Sequence, residues 1–200
     1  PHIRILRSPD FKPPLIRLLK TGNHKQKAAA AMALGSLGNE ACIEELCQAL
    51  NEALNQPTRG SETVQAAIIS SLGELGSEAG VEPLMEVYRK NSGTEDPFQV
   101  ERKLLLIAAL GQLAQQGIVP AQQRLAWIIA EEEPRFQVPA ISELSVAFWH
   151  CPNAIADTTL HKIASLTDHP SPEVRRTATG ALSNLAKLGC HAVSYTHLRA

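Results

Sequence analysis

Aromatic side chains are scarce in this chain: two Trp, two Tyr and four Phe among 200 residues. Strand-rich folds draw heavily on aromatic and β-branched residues, whereas the alanine and leucine abundant here pack helices closely. An excess of one charge is also missing. Nineteen Lys and Arg stand against 20 Asp and Glu, a net charge of -1, so nothing overall favours nucleic acid. No apolar run approaches the roughly 18 residues of a membrane span.

Reactive patterns are missing as well. Cys42, Cys47, Cys151 and Cys190 form no CxxC pair. Cys42 and Cys47 point in different directions on a helix, and buried thiols suit a reducing compartment, so a cytoplasmic location is expected. The histidines, His2, His24, His150, His161, His169, His191 and His197, form neither HExxH nor HxH. His150-Cys151 lacks two further ligands at zinc spacing. Adjacent helical residues also face roughly 100° apart, which argues against a nucleophile–base pair. No glycine-rich phosphate loop occurs. The expectation is no catalytic residue, no metal and no cofactor; a non-enzyme is favoured, with enzyme activity left open.

What the chain does have is a period. Leu34-Gly35, Leu72-Gly73 and Leu110-Gly111 recur at intervals of 38, each in an alanine-rich run. Leu144-Ser145 and Leu182-Ser183 follow at 34 and 38. Stacked helix pairs give such spacing. Five pairs are predicted, over residues 13–38, 41–76, 79–117, 118–149 and 154–189. They form one repeat domain, 1–189, with a non-repeat tail, 190–200.

Within each pair a first helix carries an apolar face: Leu15 to Leu19, Ile43 to Leu54, Val81 to Tyr88, Gln122 to Ile129, and Ile155 to Leu166. A turn follows, then a second helix, marked by Ala28 to Leu37, Ile68 to Leu75, Leu104 to Leu113, Ile141 to Phe148 and Ala178 to Leu185. Ser61 is expected to cap the second of these helices. Pro139 costs little if its helix starts near Phe136 and kinks it if the start is earlier. Gly35, Gly73 and Gly111 lie inside helices, where each costs up to about 1 kcal/mol against alanine. Ser145 and Ser183 later fill the same place, so the need is for smallness at a tight backbone crossing.

The segments HPSPEVRRTATGALSNLAKLG and GNHKQKAAAAMALGSLGNEACIEELCQAL resemble the HEAT repeat superfamily. They are most similar to the short HEAT-like repeats of phycobilisome lyases. The resemblance spans about residues 13–189 and implies an all-α, right-handed α-α superhelix, a HEAT-like solenoid. Most members of the superfamily bind other proteins along a concave surface lined by the second helices. The metal-dependent hydroxylase branch is marked by His-Glu pairs, and no His-Glu dipeptide occurs here.

Aligned on the repeated leucine, one polar column stands seven residues earlier: Lys27, Gln65, Lys103, Gln137 and Arg175. Such long donors could brace neighbouring repeats or form a partner-binding ridge. Arg59 and Phe98 sit in or near two longer turns, 55–62 and 91–99, where insertions in solenoids often serve binding. Charge is uneven along the chain. Residues 1–27 carry seven bases and one acid, and residues 28–96 carry eleven acids and three bases. The reading is a scaffold or adaptor whose partner is another protein, with neither membrane nor nucleic acid expected. A bilin lyase-like subunit and a nucleic-acid-binding HEAT-like protein are the alternatives.

Overall fold

The computed structural model describes residues 11–187, except 39, 56, 57, 59, 91–95 and 152–156. Arg59, Ile155, the entry segment and the tail 190–200 therefore lie outside the described residues, as do parts of both longer turns. Ten α-helices and short 3-10 turns make up the regular structure of the described residues. The chain divides into two compact units, 1–109 and 110–200.

The first unit holds α1 (Lys12–Thr21), α2 (His24–Leu37), α3 (Ile43–Asn55), α4 (Ser61–Leu75), α5 (Val81–Lys90) and the first part of α6 (Pro97–Gln115). Helix α1 opens on prolines, whose missing N–H groups are no loss in a first turn. Asn23 separates α1 from α2 by reciprocal capping. Its side chain accepts from the Gln26 N–H at 3.0 Å, and its own N–H donates to Gln26 Oε1 at 3.0 Å.

Helices α2 and α4 end alike. Gly38 (φ 65°) and Gly76 (φ 68°) take the left-handed conformation that suits glycine. The 3-10 turns Glu40–Cys42 and Glu78–Gly80 then lead into α3 and α5. One joint is thus built twice from the same residue types.

Helix α1 packs on α2, α3 on α4, and α2 directly along α4. Ala31, Leu34, Leu46, Ile68, Leu72, Leu84 and Met85 are fully buried. Burial of each large apolar side chain contributes about 1.5–3 kcal/mol. The alanines of α2 keep its contact with α4 close. A Cβ added to Gly35 would stand 2.8 Å from both Cα and Cβ of Ser71.

The second unit holds the end of α6, α7 (Val119–Glu131), α8 (Pro134–His150), α9 (Asp157–Ser165) and α10 (Pro172–Lys187). The plan is the same. Helix α7 packs on α8, α9 on α10, and α8 along α10. Leu113, Leu125, Ile141, Leu144, Phe148, Ile163, Val174 and Leu185 fill its core.

Three expectations need correction, and the alternative left open at Pro139 is decided. Ser61 is the first helical residue of α4, not its cap; Gly60, at φ 97°, occupies the cap position, and no side chain among the described residues caps the helix. Backbone geometry makes that entry, with the Ser61 N–H donating to the Thr58 carbonyl at 2.9 Å. Helix α8 starts at Pro134, so Pro139 lies inside it and cannot donate to the Arg135 carbonyl one turn back. Leu104 is exposed, because the buried stripe of α6 runs through Lys103, Leu106, Ile107 and Leu110, about 100° to one side. Leu166 is buried in a 3-10 turn, Leu166–Asp168, rather than in α9.

Candidate functional site

The second helices of the pairs, α2, α4, α6, α8 and α10, carry the polar column near their starts. The last four carbonyls of a helix have no partner inside it. Long donors on the next helix can reach them.

In the first unit Gln65 is 3% exposed and its Nε2 donates at 2.8 Å to the carbonyl of Ala53, in the last turn of α3. Lys103 is 7% exposed, with Nζ 4.7 Å from the centre of the Tyr88 ring, in the last turn of α5. In the second unit Gln137 Nε2 donates at 3.1 Å to the carbonyl of Ile129, near the end of α7. Arg175 Nη1 donates to the carbonyls of His169 and Pro170 at 2.8 and 2.9 Å, in the turn before its own helix. These four side chains therefore engage the end of the preceding helix, or the turn after it, within their own pair.

Lys27 differs. It is half-buried, has no ion pair among the described residues, and lines a cavity of about 120 Å³ with His24, Glu52, Thr58 and Ser61. Phe98 is 60% exposed and borders a shallow groove of about 280 Å³ with Ala66, Leu105, Glu62 and Glu101.

Three features escaped the sequence reading. Gln122, in the first turn of α7, donates Nε2 to the Ala114 carbonyl at 3.3 Å and so closes the end of α6. Its signal would have been a glutamine two residues after a proline that opens a helix. Ser71 donates Oγ to the Ala67 carbonyl at 2.7 Å, directly beneath Gly35. Glu143 packs its side chain against Gly111, where any Cβ would collide with it, and accepts from Gln115 Nε2 at 3.3 Å.

Burial raises the pKa of the Glu143 carboxyl, and the Gln115 hydrogen bond only partly opposes it. Burial, aided by the charge of Glu86, pushes the Cys47 thiol up to about 11. Burial also raises Cys42, with Lys12 opposing and Glu45 adding. Neither thiol is primed as a nucleophile.

The exposed face of α2 and α4 is chemically plain. Ala29, Met32 and Ser36 on α2 and Glu74 on α4 are exposed; Ala67 and Ser70 on α4 are partly so. Met32 is 58% exposed. Ser36 Oγ donates to Glu74 Oε2 at 3.4 Å across the two helices. Among the described residues no group of three His, Cys, Asp or Glu side chains could hold a metal ion. No described helix is long and apolar enough to cross a membrane.

Two segments, residues 26–52 and 64–90, match the family described as PBS lyase HEAT-like repeat. No curated protein matches the chain. Each matched segment takes in most of a second helix, its left-handed glycine, the 3-10 turn and the first helix of the following pair. The family's unit is thus the joint that α2–α3 and α4–α5 build twice. The two matched segments are HEAT-like repeats close to those of phycobilisome lyases, and the regular structure of the described residues, all helical, is of the α-solenoid class that such repeats imply.

Proposed function

We propose that this chain is a protein-binding scaffold that receives its partner on the exposed face of two second helices, α2 and α4. One observation carries the reading. The exposed face there is made of small, mostly uncharged side chains around an exposed methionine, while Gln65 turns to its own pair. Depletion of charge with an apolar, adaptable centre is the composition of interface cores. A stable complex would bury about 1,200 Å² or more.

The same arrangement speaks against a nucleic-acid partner. Lys103 is buried and Arg175 is engaged with its own turn, so the column offers no continuous basic field. A second reading, a subunit acting beside a bilin lyase, is supported by the kinship of the matched repeats. It would require that adding this chain changes the absorbance transfer from free bilin to a phycobiliprotein subunit.

The scaffold reading is tested by placing a benzophenone photo-crosslinker at position 32, with a control at Gln48, exposed on α3. In lysate from the source cells, position 32 should capture a discrete protein band that Gln48 does not. Ala67→Glu should abolish that band without lowering the melting temperature. Equal labelling from both positions, or a band indifferent to Ala67→Glu, overturns the reading.

A further inference from the structure

We propose that the cavity at the start of α4 binds a small oxyanion, a phosphate group above all. Four observations converge there, independently of the scaffold reading. First, α4 is 15 residues long and no side chain among the described residues caps its start. The N-terminus of such a helix presents N–H groups and about half a positive charge to an anion. Second, Ser61 lines the cavity at 2% exposure, and its Oγ has no hydrogen-bond partner among the described residues. A buried hydroxyl with nothing to donate to is matched by a ligand rich in acceptors.

Third, Lys27 reaches the same cavity from α2 without an ion pair among the described residues. His24, on the same helix, is hydrogen-bonded through Nε2 to Thr58 Oγ1 at 3.3 Å, so these two polar groups at the rim engage each other. Fourth, the volume of about 120 Å³ far exceeds the roughly 10–15 Å³ that one buried water occupies. Glu52 is the opposing charge in the lining, and Gln48 Nε2 donates to it at 3.4 Å. Its presence makes a selective prediction possible: removing its charge should strengthen anion binding.

The experiment is a titration of the full chain with inorganic phosphate, against sodium chloride at equal ionic strength, followed by amide NMR. Amides 61–64 should shift saturably with phosphate and not with chloride. Lys27→Gln should abolish the shifts, and Glu52→Gln should tighten binding several-fold. Should Lys27→Gln fail to fold, Ser61→Ala and Glu52→Gln carry the test, with weaker and tighter binding respectively. O-phosphoserine as a second probe separates the sources. Binding at least as tight as phosphate indicates a phosphorylated side chain, and binding of phosphate alone indicates the free ion. Unmoved amides 61–64 in a folded chain at high-millimolar phosphate, or equal shifts with chloride, overturn the proposal.

Discussion

Gly35 of α2 and Ser71 of α4 meet so closely that a methyl group on Gly35 would lie 2.8 Å from the Ser71 Cα. The neighbouring atom is backbone, so the contact cannot be relieved by a side-chain rotation. Gly35→Ala should therefore lower stability by about 1–3 kcal/mol, despite alanine's better helix propensity. Gly180, inside α10, has no atom of the described residues within 4 Å of an added Cβ. Gly180→Ala should raise stability by about 0.5–1 kcal/mol. Urea unfolding of both variants checks the opposite signs.

Gln65, itself buried, holds the Ala53 carbonyl in a part-buried hydrogen bond. Gln65→Ala leaves that carbonyl unpaired and opens space, so a loss of about 1–3 kcal/mol is expected. Thr63 is an exposed neighbour on the same helix, and Thr63→Ala should stay within about 0.5 kcal/mol of the parent. Thermal melting of the pair separates the buried donor from the general effect of substitution on α4.

The Glu143 carboxyl has its pKa raised by burial. A pKa raised on folding means that the folded state binds the proton more tightly than the unfolded chain. The stabilisation is complete below the unfolded value, about 4.3, and is lost as pH rises through the higher folded value. Glu143→Gln should therefore gain stability over the parent at pH 7 and lose that advantage near pH 4. Melting temperatures across that range should show the two curves converging on the acid side.

Cys47, pushed up to about 11, is almost wholly a thiol at neutral pH. Its alkylation by iodoacetamide at pH 7.5 should run far slower than that of a free cysteine in peptide, because only the thiolate attacks. Glu86→Gln should speed it, since the Glu86 charge adds to the shift. Peptide mass mapping assigns the modified site and separates Cys47 from the other cysteines.

Much of the plan is legible in the chain because it depends on short-range periodicity. The leucines 34, 72, 110 and 144 are fully buried, and Leu182 nearly so. Glycine at 35 and 111 does mark a crossing too tight for a side chain. The candidate residues were less legible. Spacing aligns Lys27, Gln65, Lys103, Gln137 and Arg175, yet it cannot say which carbonyl, ring or cavity each one reaches. Ser61 looked like a cap because a serine preceded a helical run, and a left-handed glycine took that place instead.

The sequence by itself determined that the chain is helical, that its helices come in pairs, and that small residues recur where second helices cross. Each of these follows from residue type at fixed short spacing, where propensity and the 3.6-residue turn act locally. The tertiary structure alone decided that Gln65 and Gln137 close the ends of other helices. It also decided that Glu143 is pressed against Gly111 and that Lys27 and Ser61 share a cavity. Those relations join residues brought together by packing between helices, and a side chain's partner is fixed only when both helices are in place.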